Sequence, residues 1–168
     1  SEYVTYPLAE PELDKLLIDY KEIVEQCLVM QDWDTGRLSQ LILELSGILK
    51  LNASDTLAIN KMLACLRLQI RYHFGIYPHN TQMLVLLALI KYPAAYKGRI
   101  GQVRTGEGKS TIVAMLAGFL ALKGHFVDII TSSRNLAERD QKKYAKFFKS
   151  MLIISSHIAL DHPTADDF

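Results

Sequence analysis

Cysteine is scarce in this sequence, which carries only Cys27 and Cys65 among its 168 residues. Both lie within apolar patterns typical of helices. A single disulfide between them stays open, although buried thiols in a reducing compartment are the simpler interpretation. Neither cysteine has a metal-ligand spacing to any of the five histidines. The cysteine content therefore gives no support to a metal centre.

Long hydrophobic runs are also missing. The longest, at residues 83–90, has eight residues, whereas a membrane-spanning helix needs about 20. The first 25 residues are acidic in character and have no continuous apolar core, so they lack the pattern of a signal peptide. We therefore expect a cytoplasmic protein, with peripheral attachment to a membrane as an open alternative.

Neither sign of charge dominates, because the formal net charge is +1. The distribution is uneven: residues 1–70 carry eleven acidic and six basic side chains, whereas residues 71–150 carry four acidic and thirteen basic ones. A basic second half fits a polyanionic ligand such as a nucleotide, a nucleic acid or an acidic membrane surface. The acidic first part argues against a protein that coats nucleic acid along its whole length.

The first part of the chain has the apolar periodicity of three amphipathic helices. The first begins at Glu10 and ends before Trp33, the second spans about 37–51, and the third about 56–72. Such helices must bury their apolar sides, so we predict a helical layer over residues 1–73 that packs on the following domain. A groove that accepts a partner helix stays an alternative.

From residue 74 onwards, short apolar runs alternate with helical patterns. This alternation predicts an α/β fold with an incomplete parallel sheet and right-handed crossovers, forming a partial nucleotide-binding domain over residues 74–168. The predicted strands lie at 99–103, 126–130 and 151–154, and the predicted helices at 81–90, 111–122 and 134–149.

A glycine-containing loop between a strand-like run and a helical pattern carries the clearest chemistry. Gly106 and Gly108 let the backbone turn so that its N–H groups face phosphate oxygens. The N-terminus of the following helix adds positive charge, Lys109 can reach the β- and γ-phosphates as the catalytic lysine, and Ser110 offers its hydroxyl to Mg²⁺. At the position where the full P-loop pattern has its first glycine, this chain has Val103. The loop therefore predicts a polyphosphate site of the relaxed, helicase-like form.

Two further motifs flank this loop. The three segments are Tyr-Pro-His-Asn-Thr-Gln at 77–82, Val-Arg-Thr-Gly-Glu-Gly-Lys-Ser at 103–110, and Thr-Ser-Ser-Arg-Asn-Leu-Ala-Glu-Arg-Asp at 131–140. Together they resemble the first motor domain of the SecA preprotein translocase family, over about residues 57–157. The resemblance implies a P-loop, RecA-like domain that binds ATP or ADP with Mg²⁺. It also implies that the whole motor binds an unfolded polypeptide or a membrane translocation partner.

The resemblance also implies roles for single residues. Gln82 would contact the adenine edge, and Ser110 would bind Mg²⁺. Leu136, Arg139 and Asp140 match a motif that couples the nucleotide domain to the protein-handling parts of the motor. The implied phosphate-binding residues are Arg104, Thr105, Gly106, Glu107, Gly108, Lys109 and Thr111.

The chain departs from the family pattern in several places. Residues 79–81 replace Phe-Asp-Val, residues 133–135 replace Asn-Asp-Tyr, and Ser110 replaces a threonine while keeping the hydroxyl. The altered coupling motif favours a specialised SecA-like protein. No Asp-Glu pair for Mg²⁺ and water activation follows Asp140. We therefore expect an N-terminal fragment of a longer motor, which binds ATP but hydrolyses it poorly by itself.

Two other functions stay open on the sequence. A helicase-type motor acting on nucleic acid is suggested by the basic residues of the helix predicted at 134–149. A SecA-like scaffold that binds a protein partner, with a vestigial nucleotide site, is suggested by the acidic segment 1–70 and by the altered third motif.

Overall fold

The computed structural model describes residues 9–91, 103 and 108–156, which contain six α-helices. In chain order these are α1 (Glu10–Met30), α2 (Thr35–Leu51), α3 (Thr56–Phe74), α4 (Asn80–Lys91), α5 (Lys109–Leu122) and α6 (Arg134–Ser150). The six helices predicted from periodicity are confirmed, with ends displaced by less than one turn.

Short polar side chains fix where several helices begin. The Asp34 carboxylate accepts a hydrogen bond from the Arg37 N–H at the start of α2. Asp55 accepts one from the Ala58 N–H at the start of α3. Ser133 does the same for Leu136 at the start of α6. These bonds satisfy backbone donors that have no partner inside a helix.

Helix α3 is the centre of the fold, because it packs against α1, α2, α5 and α6. Eleven of its 19 residues are buried. Met62, Leu63 and Leu66 are fully inaccessible to solvent. The same hydrophobic core includes Phe119 of α5 and Phe147 of α6. The N-terminal helices and the helices that follow residue 74 therefore share one core, and the division at residue 73 stays a prediction.

Both cysteines are free and buried within this core. The Cys27 thiol donates a hydrogen bond to the Ala64 carbonyl at 3.5 Å. Burial, assisted by the neighbouring Cys27, raises the pKa of Cys65 to about 12. Burial also raises the pKa of Cys27, partly offset by Arg67. The interpretation of the cysteines as buried thiols is confirmed, and both stay protonated at neutral pH.

Helices α5 and α6 lie side by side and run in the same direction. Ser110 at the start of α5 contacts Asp140 of α6. Further along, Gly118 faces Phe147 and Met151. Because α5 has 14 residues, the connection from its end to the start of α6 must return about 20 Å along the pair.

Helix α2 crosses the C-terminal ends of both α5 and α6. The Ser46 hydroxyl donates to the Leu122 carbonyl at the end of α5. The Ser39 hydroxyl donates to the Ser150 carbonyl at the end of α6, at 2.6 Å. Carbonyls in the last turn of a helix have no partner within it, so these bonds anchor both helix ends to α2.

The predicted α/β fold is wrong for the described residues, where helices are the regular structure and no strand is present. Residues 126–130 and 151–154 are irregular or turn. Phe126, Ile130 and Ile154 are 104%, 93% and 98% exposed. Of the strand predicted at 99–103, only Val103 is described, and it has no regular structure.

The physical reason is that a strand exists through hydrogen bonds to a neighbouring strand. Residues 126–130 lie in the connection that returns along the α5–α6 pair, where no described segment pairs with their backbone. The helices bury their apolar faces against α3 and one another instead of against a sheet. None of the described helices is both long enough and apolar enough to cross a membrane.

Candidate nucleotide-binding site

Gly108 forms the turn that starts α5. Its φ of +69° lies in the left-handed region, which glycine occupies without the steric cost that a Cβ would bring. Its carbonyl accepts a hydrogen bond from the Thr111 N–H at 3.1 Å, which closes the first turn of the helix. The last glycine of the predicted phosphate loop therefore sits at the N-terminus of a helix, where anions are favoured.

Gln82 lies directly against this turn. Its Nε2 atom donates to the Gly108 carbonyl at 3.2 Å. Its Oε1 atom accepts from the His79 N–H at 2.7 Å, as a glutamine does when it caps the start of its own helix. The side chain is only 6% exposed. Two residues that are 26 positions apart are thus brought into contact, with the amide held in one orientation.

This contact predicts a strong effect of the Gly108→Ala substitution. A Cβ at Gly108 would lie 2.0 Å from Gln82 Nε2. The alanine would also have to adopt the left-handed backbone conformation that Gly108 has. The backbone term alone costs about 1–2 kcal/mol, so the free energy of unfolding should fall by at least that amount. Gly47→Ala in α2 is the control, because its Cβ would meet nothing within 4 Å. Replacing a helical glycine there should stabilise the chain by about 0.5–1 kcal/mol. Chemical denaturation that shifts both variants in the same direction would contradict this prediction.

Ser110 contacts α6 through its hydroxyl. Its Oγ atom donates to Asp140 Oδ2 at 3.2 Å. The other oxygen of that carboxylate, Oδ1, accepts two hydrogen bonds from Arg139, from Nε at 2.9 Å and from Nη2 at 2.8 Å. The proposed Mg²⁺ ligand and two residues of the third motif therefore form one hydrogen-bonded group at the start of α5.

The neighbouring residues of α5 differ in their exposure. Lys109 is exposed on the first turn, where an ammonium group can meet an anion in solvent. Thr111 is partly buried, and its hydroxyl lies 3.0 Å from the Tyr144 hydroxyl of α6. Thr111 is thus a packing contact between the two helices as well as a neighbour of the loop.

A cleft of about 230 Å³ opens beside Gly108. Its wall includes the rings of Phe74, Tyr77 and Tyr144, and Lys143 lies 5.2 Å from the centre of the Tyr144 ring and 5.7 Å from that of Phe74. Its volume is below the roughly 300–1,000 Å³ of pockets for drug-sized ligands, so the cleft can hold only part of a nucleotide. The lining residues are Ile70, Phe74, Ile76, Tyr77, Pro78, His79, Gln82, Gly108, Thr111, Lys143 and Tyr144.

A family model described as the SecA DEAD-like domain matches residues 8–166. The chain belongs to this family. The resemblance stated from the three motifs is therefore confirmed.

Curated relatives agree with this assignment. The chain is 31% identical over 75 residues to "Protein translocase subunit SecA 2" of Lactobacillus johnsonii, an alignment of 45% of this chain and 9% of the relative. It is 44% identical over 76 residues to "Protein translocase subunit SecA" of Pyropia yezoensis, an alignment that covers 45% of this chain and 8% of the relative. The protein of the same name from Clostridium tetani is 44% identical over 55 residues, an alignment that covers 32% of this chain and 6% of the relative. The aligned part is less than a tenth of the length of each relative.

The site of this SecA-family chain includes residues to which the three motifs assigned no contact with a nucleotide. Phe74, Tyr77, Lys143 and Tyr144 line the cleft. A usable signal was present on α6, because Tyr144 follows Asp140 by four residues and so lies on the same side of the helix.

The remaining predicted site residues lie elsewhere on α6 or outside the described residues. Leu136 is partly buried in the first turn of α6, where its N–H donates to Ser133 Oγ at 3.4 Å. Four predicted phosphate-binding residues lie outside the described residues: Arg104, Thr105, Gly106 and Glu107.

Proposed function

We propose that this chain is the adenine-nucleotide-binding part of a SecA-type protein-translocating motor. The observation that carries the proposal is the hydrogen bond between Gln82 and Gly108 at the start of α5. This bond joins Gln82 to Gly108 beside the cleft, which supports a shared role of the two residues in holding a nucleotide.

The described residues suit a nucleotide with Mg²⁺. Gly108 forms a left-handed turn that directs the chain into α5, and the N-terminus of α5 favours phosphate charge. Lys109 supplies an exposed ammonium group, and Ser110 supplies a hydroxyl oxygen of the kind that Mg²⁺ prefers. Bound Mg²⁺ would neutralise phosphate charge.

The cleft offers a place for the base. The Tyr77 ring, 39% exposed, offers aromatic surface on which a planar ring can stack, a contact worth about 1–3 kcal/mol per base in other proteins. Phe74 and the buried Tyr144 also line the cleft. Gln82 closes one side of the cleft, with its amide fixed between His79 and Gly108. This arrangement holds Gln82 beside Gly108, which is the position that the proposed adenine contact requires.

The partners of the whole motor follow from the family. We infer an unfolded polypeptide and a membrane translocation partner, since the relatives are named as protein translocase subunits. For the chain itself we expect binding of ATP or ADP and slow hydrolysis. The Asp-Glu pair that would activate water is not among the residues after Asp140 in this sequence.

Calorimetric titration with ATP in the presence of Mg²⁺ tests the proposal. We expect micromolar-class binding that falls roughly tenfold or more in Lys109→Ala, because a charge-assisted hydrogen bond contributes about 1.5–3 kcal/mol. Lys123→Ala is the matched control, since Lys123 lies at the other end of the same helix. Equal affinities of the Lys109→Ala and unmodified chains, or no binding by either, would reject the proposal.

A further inference from the structure

Asp140 places a carboxylate at the N-terminus of the helix that would receive phosphate. Its Oδ2 atom accepts a hydrogen bond from Ser110 Oγ at 3.2 Å. Ser110 lies in the first turn of α5, one residue after Lys109. The carboxylate thus interacts with a hydroxyl and a helix terminus that the proposed function assigns to the nucleotide and its metal.

We propose that Asp140 makes nucleotide binding at this site dependent on Mg²⁺. The inference rests on the proposed function and adds to it a positioning residue with a role in metal dependence. Without Mg²⁺, the carboxylate opposes the entry of triphosphate oxygens by charge repulsion. With Mg²⁺, the same carboxylate attracts the cation and favours the metal-bound form of the nucleotide.

The chemistry of the two oxygens supports this role. Mg²⁺ in nucleotide sites keeps several waters and is held by one or two carboxylates together with phosphate oxygens. Ser110 Oγ and Asp140 Oδ2 are a hydroxyl and a carboxylate oxygen 3.2 Å apart, so both can face one hydrated cation. A phosphate without the cation meets the same carboxylate as a like charge, which disfavours binding.

Arg139 fixes the carboxylate in this position. Its two hydrogen bonds, at 2.9 and 2.8 Å, both go to Oδ1, so Oδ2 is the oxygen that reaches Ser110. The Arg139 side chain is 60% exposed, whereas that of Asp140 is 27% exposed. Arg139 therefore offsets part of the negative charge through Oδ1, and Oδ2 is the oxygen that faces Ser110.

A matched control lies two residues earlier on the same helix. The Glu138 side chain is 28% exposed, close to the 27% of Asp140, and it also pairs with an arginine, Arg134, at 2.8 Å. Glu138→Gln removes the same charge from the same helix, away from Ser110. Asp140→Asn removes the charge while keeping an oxygen that can accept the Ser110 hydrogen bond.

The experiment is a titration of the whole chain with ATP, once with excess Mg²⁺ and once with EDTA. In Asp140→Asn we expect the affinity for metal-free ATP to rise and that for Mg²⁺-bound ATP to fall. The ratio of the two affinities should drop about tenfold, as expected when a unit charge a few ångströms away is removed. Glu138→Gln should keep the ratio of the unmodified chain.

The outcomes separate the two proposals. A ratio unchanged in Asp140→Asn, with ATP still bound, overturns the role of Asp140 and leaves the proposed function standing. An equal drop in both variants also overturns it, because the effect would then be one of general charge. Absence of ATP binding in every chain and condition overturns the proposed function and this inference together. Opposite changes in the two titrations cannot come from loss of folding, which would weaken both.

Discussion

Replacing Phe147 by alanine is expected to lower the free energy of unfolding by about 3–5 kcal/mol, the range found for large aromatic residues removed from cores. Phe147 lies on α6, where its side chain is fully buried against His73 of α3 and Gly118 of α5. Its ring centre lies 5.3 Å from that of Phe148 and 6.4 Å from those of Tyr144 and His73. Burial and the nearby Lys146 lower the pKa of His73, so at neutral pH a neutral imidazole packs edge-on against this ring. Alanine would leave a cavity among these neighbouring rings, and that cavity adds to the loss of stability.

Phe126→Ala provides the matched control for urea denaturation. The same side chain is removed, but Phe126 is 104% exposed, so we expect a change within about 0.5 kcal/mol. The comparison also tests the correction to the predicted fold. A loss at Phe126 as large as that at Phe147 would mean that residues 126–130 are packed in solution, contrary to the structure.

The helices were predictable because their signals are local. Apolar residues recur at helical spacing through α1, α2 and α3, and Asp34, Asp55 and Ser133 each cap the helix that follows. A capping side chain bonds to a backbone N–H three residues away, so the information lies within one turn of sequence. Helix ends were accordingly placed within a turn.

The strands could not be predicted in the same way. The β-branched run around Ile129 and Ile130 has the composition of a strand, but composition does not provide a neighbour. Ile130 is 93% exposed in the described chain. Whether such a run forms a strand depends on backbone partners far away in sequence, and a local pattern does not contain that information.

The candidate site was predictable in part for the same reason. Gly108, Lys109 and Ser110 are contiguous, so their motif could be recognised directly, and the family resemblance added Gln82. The hydrogen bond between Ser110 and Asp140 joins residues 30 positions apart and depends on how α5 and α6 pack. The resemblance assigned Asp140 to coupling between domains, whereas the structure places its carboxylate against the proposed metal ligand. Only the packing of the helices brings these groups together.

The second large effect is expected at the ion pair between α1 and α4. Lys91 Nζ lies 2.8 Å from Asp19 Oδ2, and the two side chains are only 11% and 16% exposed. Asn60, which is fully buried in α3, donates to Asp19 Oδ1 at 3.0 Å and to Glu22 at 2.6 Å. Asp19 thus joins three helices, and its carboxylate forms an ion pair with a mostly buried ammonium group.

We expect Asp19→Asn to destabilise the chain by about 2–4 kcal/mol, because removing one partner leaves the Lys91 charge poorly solvated. Lys91→Met in the same chain should recover part of that loss, since no buried ammonium remains. Glu138→Gln is the control. It breaks the exposed Arg134–Glu138 pair at 2.8 Å, which should contribute about 0.3–0.5 kcal/mol. Urea denaturation of the single and double variants measures the coupling. If the losses from Asp19→Asn and Lys91→Met simply add, the two charges do not stabilise each other, and the pair cannot be what holds α4 against α1.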